Sequence, residues 1–312
     1  MRPIDTADFT SLDNKLSSYE TNHGVLPGIS QQNARLVLLE QLIESVRRVK
    51  FLETIQARPI SNTRKDPANP GFDPLRAALL YARDGNLDEA CWLVFLAIHF
   101  GKHHKDGWRL ARDVYGALHN SPVWTWDRVV SHRSEFRKWM VENEATLQTD
   151  GVSRRFGNHR RYESLKADSP KGTLAVIDSY IEWISPPQTH ASKFSNAIAS
   201  VGQDPKLVFD ELYNSLKQVT RFGRLAKFDF LCMLGKLRLA PVEAPSAYLK
   251  EATGPLRGAR LIFEGSVNSK TPPVDLESKL HELGTSLDLG MQVLEDALCN
   301  WQKSPQKFVP FR

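Results

Sequence analysis

The sequence predicts an all-α fold built from two intimately packed helical subdomains. Apolar residues recur at the three- and four-residue spacing of a buried helix face along most of the chain. No stretch alternates apolar with polar residues as a half-buried strand does. Proline, glycine and Asp-Gly breaks fall between the periodic stretches rather than inside them. The expected division is an irregular lead-in over 1–30, an N-terminal helical subdomain over 31–150 and a second subdomain over 151–312 that carries a helical hairpin.

Each element has its own signal. His23-Gly24 and Pro27-Gly28 interrupt any period in the polar first thirty residues. Over 31–56, Leu36, Leu39, Ile43 and Val46 share one helix face, with Glu40, Glu44, Arg47 and Arg48 largely off it. Pro59, Pro67, Pro70 and Pro74 then impose a loop that also contains Arg58, Arg64 and Lys65, either a solvated connector or a DNA-touching segment. Pro74 opens a helix to Arg83, Asp84-Gly85 turns the chain, and Asn86 caps a strongly apolar helix over 87–100. Helices are expected over 106–119, through Trp124 to Leu147, over 173–184 up to Pro186-Pro187, and over 191–200. Pro205 opens the helix into the hairpin, and further helices follow over 255–263, 274–286 and 289–302.

Composition narrows the class. A formal charge of +5 and a pI near 9.0 are compatible with a polyanionic partner without requiring one. Basic residues also gather locally, over 102–112, 154–161 and 221–227. No apolar run is long enough to span a bilayer and no leader pattern opens the chain, so a soluble, cytoplasmic protein is expected. Cys91, Cys232 and Cys299 lie far apart in apolar segments and read as core thiols. His99, His103 and His104 lack acidic or cysteine partners at ligand spacing, so no metal or other cofactor is expected.

The stretch 217–251 organises the chemistry. Leu207, Leu212, Leu216 and Val219 face the core from the incoming helix; Gly223 offers the positive φ of a sharp turn; Leu225, Phe228, Leu231 and Cys232 resume the helical period. Pro241-Val242-Glu243 ends it, placing Glu243 at the expected start of the next helix. Asp229, between Phe228 and Phe230, is an acid beside the core, paired by Arg224 or Lys227 or chemically active. A basic-Phe-Gly tripeptide occurs at 99–101, 155–157 and 221–223, each a possible turn with N–H groups and cations facing phosphate. Thr253-Gly254 leads into Pro255, Arg257 and Gly258, a helix start able to approach phosphate or base. On the last helix Glu295, Cys299 and Lys303 share one face and Asp296 and Asn300 the next, either lining a pocket or pairing with basic neighbours.

The hairpin resembles that of the helix-hairpin-helix superfamily of DNA glycosylases. There, a glycine turn holds a DNA phosphate and a later carboxylate faces the sugar of an everted nucleotide. Gly223 matches the turn glycine, and Pro241-Val242-Glu243 matches the Pro-Val-Asp that carries the acid, with Glu for Asp. The lysine of lyase-type members has no match, because Arg224 and Leu225 stand there, which implies a monofunctional mechanism. More narrowly, HFGKHHKDGW (99–108), FGNHRRYESL (156–165), FGRLAKFDFLCMLGKL (222–237), YLKEATGPLRGARLIFEG (248–265) and EDALCNWQKSP (295–305) resemble the third clade of the alpha-glutamyl/putrescinyl thymine pyrophosphorylase-like proteins.

That resemblance implies duplex DNA carrying a hypermodified pyrimidine as substrate. The first expectation is a monofunctional glycosylase excising a glucosylated hydroxymethyl pyrimidine from phage DNA in antiviral defence. It would act as a monomer on a phage genome, with 151–312 as the catalytic subdomain. In this reading Glu243 or Asp229 stabilises the oxocarbenium-like state. His159, Tyr162, Glu295, Asp296, Asn300 and Lys303 contact the base, and Arg160, Arg221, Phe222, Gly223, Arg224, Lys227, Thr253, Gly254 and Arg257 contact DNA. The alternatives are an amine transferase that displaces pyrophosphate from a 5-pyrophosphomethyl pyrimidine in DNA, and a non-enzymatic binder of modified DNA.

Overall fold

The computed structural model describes residues 3–120 and 122–310. Among these residues there are fourteen α-helices and no strand. In chain order they are α1 (Pro3–His23), α2 (Gln32–Gln56), α3 (Pro74–Arg83), α4 (Leu87–Phe100) and α5 (Arg109–Tyr115). Next come α6 (Trp126–Ser131), α7 (Arg133–Thr149), α8 (Thr173–Ile184), α9 (His190–Val201) and α10 (Pro205–Ser215). The last are α11 (Arg224–Lys236), α12 (Gly254–Glu264), α13 (Pro273–Leu287) and α14 (Met291–Trp301). Among the described residues, no helix is long and apolar enough to cross a membrane.

The chain forms two compact units, one of Met1–Glu53 with Ala244–Arg312, the other of Thr54–Glu243. Neither division falls near residue 150, where Asp150 closes α7.

In the Thr54–Glu243 unit the core is built around α4. Asn86 caps it by accepting the Glu89 N–H at 3.1 Å, and its residues from Glu89 to Ala97 are all buried. Phe95 stacks on Tyr180 of α8 with ring centroids 3.8 Å apart and meets Phe222 at 5.5 Å and Phe230 of α11 at 6.5 Å. Trp92 stacks on Phe95 and donates its indole N–H to the Trp124 carbonyl at 3.0 Å. Each such aromatic, fully buried, contributes about 1.5–3 kcal/mol from area alone. Asp73 and Asp204 cap α3 and α10 in the same manner, each before the Pro that opens its helix.

In the other unit the expected irregular lead-in is corrected: α1 occupies 3–23. Leu12, Leu16 and Tyr19 bury one face of it, and α1 packs against α13, whose Leu276, Leu280, Leu283 and Leu287 are buried. Arg35 of α2 locks it by donating to Asp13 and Glu20, both at 2.6 Å. The buried side of α2 is also rotated from expectation. Leu39 and Ile43 are inside with Val37, Leu38 and Leu42, whereas Leu36 is exposed. At the other end of this unit α12 lies close on α14: a Cβ added at Gly258 would stand 2.5 Å from the Leu298 carbonyl oxygen.

Candidate functional site

The site in the Thr54–Glu243 unit is assembled at the C-terminal end of α4. There the chain leaves the helix through Gly101 at φ 67°, and the segment 156–163 is fastened against it. The Gly157 N–H donates to the Phe100 carbonyl at 2.8 Å. The two backbones touch so closely that a Cβ on Gly157 would lie 2.8 Å from the Gly101 carbonyl carbon and 2.9 Å from the Lys102 nitrogen. The segment then turns through Arg160, whose N–H donates to the Gly157 carbonyl at 2.8 Å. The Arg160 side chain is buried; its Nε donates to the Ile98 carbonyl at 2.8 Å, on the last turn of α4. A cation is favoured there by the carbonyl ends of the helix.

The far end of that guanidinium reaches Asp229 of α11, with Nη2 3.5 Å from Oδ2. Such a separation is a loose pairing. Asp229 is recessed yet 36% exposed, so its carboxylate is both partly desolvated and reachable. Desolvation pushes its carboxyl above the usual range; Arg160, then His159, Arg224 and Lys236, pull it back without cancelling that. A reachable carboxylate of raised pKa is suited to accepting a proton from water, and when ionised to facing developing positive charge.

Arg221 and His99 brace the arrangement. Arg221 occupies the left-handed region at φ 61° and donates to both oxygens of Glu163, each at 3.1 Å, and to the Tyr162 carbonyl at 2.9 Å. His99 is buried, with Nε2 3.0 Å from the Thr173 hydroxyl. Burial, with Arg160 and Arg221 nearby, brings its pKa down to about 3, so the ring stays neutral at pH 7. The three basic-Phe-Gly tripeptides thus converge. Phe100 and Phe156 have centroids 5.7 Å apart, and Phe222 joins the same cluster through Phe95.

Several expectations about the hairpin are corrected. Gly223 does not use a positive φ; it sits at φ −69° as the residue before α11, and Arg221 carries the left-handed conformation instead. Phe222 and Lys227 are buried and present no surface to phosphate; the Lys227 ammonium lies 3.9 Å from the centroid of the Tyr213 ring. Arg224 is folded over the Phe228 ring at 4.6 Å. Glu243 is not at a helix N-terminus. Pro245 follows it by two residues and no helix begins before Leu249, since a residue preceding proline disfavours the helical region. Its side chain is 59% exposed, with Lys206 Nζ at 3.8 Å. Tyr162 is exposed, as is His159, and the Arg161 guanidinium lies 4.7 Å from the Tyr162 centroid.

The expected contacts from the other unit are largely engaged among themselves. Asp296 accepts from the Ser45 hydroxyl at 2.6 Å and from Arg48. Asn300 donates to Asp296 Oδ1 at 3.2 Å and accepts from Lys303 at 3.2 Å. Glu295 is buried. Gly254 is explained by packing, since a Cβ there would stand 2.6 Å from Cys299 Sγ; Thr253 makes no side-chain cap, and Arg257 is exposed.

The opposite end of α4 holds features that no local pattern announced. A cavity of about 430 Å³ is lined by Asp88, Glu89, Asp127, Tyr81, Trp126 and the Pro186-Pro187 turn, among others. Behind it Tyr180 Oη lies 2.7 Å from His190 Nε2, and His190 Nδ1 lies 2.6 Å from Asp88. Burial lifts Asp88, but hydrogen bonds from His190 more than offset this and hold it below the usual carboxylate range. Glu89 accepts from Tyr115 Oη at 2.6 Å and the Trp126 N–H at 2.7 Å, and burial raises its pKa to about 7. Asp88 and His190 are too far apart in sequence for spacing to link them. Among the described residues no three His, Cys, Asp or Glu side chains are grouped as metal ligands would be.

A profile of the family described as alpha-glutamyl/putrescinyl thymine pyrophosphorylase clade 3 matches residues 33–312. The chain belongs to that family, whose name is that of enzymes acting on modified thymine. No curated protein and no solved structure matches it.

Proposed function

We propose that the protein is a monofunctional DNA glycosylase that removes a hypermodified pyrimidine, with Asp229 as the carboxylate at the reacting sugar. The observation that carries this is the recessed but reachable Asp229 on the second helix of the hairpin, with the buried Arg160 guanidinium 3.5 Å from its carboxylate. As the base–sugar bond breaks, positive charge grows on the deoxyribose. The Asp229 carboxylate stabilises that charge and orients a water, whose oxygen bonds to the anomeric carbon while its proton passes to the carboxylate. The electron pair of the broken bond leaves with the base, and an abasic site remains. Lys227, the lysine on the first turn of α11, is held over Tyr213, which supports water rather than that amine as nucleophile.

The target nucleotide must leave the stack, at a cost of a few kcal/mol recovered by contacts to the base. His159, whose charge acts on Asp229, and Tyr162 are both exposed on the fastened segment, which supports giving that contact to them. Family membership supports a modified pyrimidine in DNA as the target. A glucosylated hydroxymethyl pyrimidine of phage DNA is the first substrate to test, with restriction of phage in the cytoplasm as its use. Purified protein is incubated with such DNA and with unmodified DNA, and free base and abasic sites are measured. Release from the modified DNA alone is expected; no release from any modified DNA overturns the reading.

A second reading, an amine transferase displacing pyrophosphate, is favoured by the acid-rich cavity at Asp88, Glu89 and Asp127, which suits a cation. Asp88 and Ile98 are separated by about 15 Å along α4 at 1.5 Å per residue, so that cavity and Asp229 do not share one reacting centre. A transferase releases pyrophosphate and leaves the glycosidic bond whole, so the same products decide between the two.

A further inference from the structure

The loop that follows α4, 102–107, is left unused by the chemistry at Asp229, although it leaves from the same point. It is rigid for its length. The His103 N–H donates to the Gly107 carbonyl at 3.0 Å, and the Gly107 N–H donates back to the His103 carbonyl at 2.8 Å. Inside this ring the His103 Nδ1 accepts the N–H of Lys105 at 3.3 Å and of Asp106 at 3.2 Å. That pairing needs a neutral imidazole, and burial, with Arg155 beside it, draws the His103 pKa down. The base of the loop is fixed by Gly101 against Gly157 and Arg160, whose guanidinium reaches Asp229.

The charges on and around the loop fall into two groups. Asp106 is occupied: it accepts from Arg155 at 2.8 and 3.0 Å and from the Ser153 hydroxyl at 3.0 Å. Arg154 is likewise held by Asp113 and Asp150, and Arg112 by Asp113. Lys102 and Lys105 are exposed, and among the described residues neither has a carboxylate partner. The arginines build the platform, and the two lysines stand out from it on a preorganised turn.

We infer that this loop is a phosphate clamp for duplex DNA, in which Lys102 and Lys105 hold the backbone beside the nucleotide presented to Asp229. The choice of DNA rests on the glycosylase reading. The geometry of the loop supplies the rest: two ammonium groups without a carboxylate partner, on a turn that need not be ordered on binding and whose base rests on Arg160, the residue that reaches Asp229. Phosphate contacts of this kind position the duplex without reading its sequence.

The test measures binding apart from catalysis. Fluorescence anisotropy with an unmodified duplex oligonucleotide is followed over a salt series for the wild-type chain, Lys102→Ala/Lys105→Ala, and a control, Lys138→Ala, on an exposed lysine of α7 3.7 Å from Glu142. Two lost phosphate contacts lower the slope of log affinity against log salt by about 1.8 and weaken binding roughly 30-fold near 0.15 M salt. The control should leave both unchanged. An unchanged slope in the double variant, an equal loss in the control, or a loss seen with duplex RNA but not with duplex DNA overturns the clamp. Base release is measured on the same preparations. A lowered slope without any base release overturns the glycosylase reading and keeps the clamp; base release with an unchanged slope does the reverse.

Discussion

Gly157 and Gly223 belong to the same kind of tripeptide, yet their surroundings predict opposite responses to alanine. At Gly157 the new Cβ would meet the Gly101 carbonyl carbon at 2.8 Å, the Lys102 nitrogen at 2.9 Å and the Gly101 Cα at 3.0 Å. All three are backbone atoms, so relief requires the 156–160 segment to lift off α4. Such overpacking costs about 1–3 kcal/mol, and the strained Gly157 N–H bond to Phe100 adds about 1 kcal/mol. A loss of about 2–4 kcal/mol follows. At Gly223 a Cβ meets nothing within 4 Å and the backbone is at φ −69°. There the restricted unfolded chain gains about 0.4–1 kcal/mol, offset by the poorer cap that alanine makes before a helix. The net change should stay within about 1 kcal/mol. Urea unfolding followed by circular dichroism measures both variants. The reasoning is refuted if Gly223→Ala costs more than Gly157→Ala, or if Gly157→Ala lies within about 1 kcal/mol of wild type.

His99 and Glu89 should oppose one another in the pH dependence of stability. Glu89 is raised to about 7 from 4.5, so its stabilising contribution is complete below about pH 4.5 and lost as pH rises through 7. His99 is lowered to about 3 from 6.5, so its contribution is present above 6.5 and lost as pH falls toward 3. Each slope is about 1.4 kcal/mol per pH unit, and between about pH 4.5 and 6.5 they cancel. In His99→Gln the cancellation goes, and its stability relative to wild type should improve by about 2 kcal/mol from pH 6.5 to pH 5; a pH-independent difference would contradict this. Glu277, in the other unit, accepts the N–H groups of Ala247 and Leu249 and the Ser246 hydroxyl, each at 2.7 Å. Glu277→Ala leaves these donors without their acceptor and should cost about 2–4 kcal/mol, read from the urea midpoint, with a loss under about 1 kcal/mol counting against that role.

α3, α4 and α10 were legible because their starts are marked in the chain: Asp73-Pro74, Asn86 and Asp204-Pro205 each place a capping oxygen before an apolar period, whereas α5, with no side-chain cap, covers only Arg109–Tyr115 of the helix expected over 106–119. α1 was hidden because the residues it buries among those described, Leu12, Leu16 and Tyr19, are sparse in a polar stretch, and because Arg35, which fastens it, comes from another helix. The hairpin was visible as two helices about a turn, but its conformation was not. Glu163 holds Arg221 in the left-handed region, and no local propensity of arginine announces that. The site was half legible. Asp229 drew notice as an acid between two phenylalanines, and the recurring Phe-Gly pairs marked the segments that meet at α4. That Arg160 would be buried, and would hold Asp229 from so far along the chain, is a product of packing alone.

Which carboxylate faces the sugar can be read from the rate of base release. Single-turnover release of base from DNA carrying glucosylated hydroxymethyl pyrimidine should be measured for wild type, Asp229→Asn and Glu243→Gln, all shown to bind the same duplex equally. Loss of the carboxylate that stabilises the transition state should lower the rate constant of Asp229→Asn by about 100-fold or more, while Glu243→Gln, altering an exposed side chain, stays close to wild type. Release that survives Asp229→Asn and fails in Glu243→Gln would contradict the assignment.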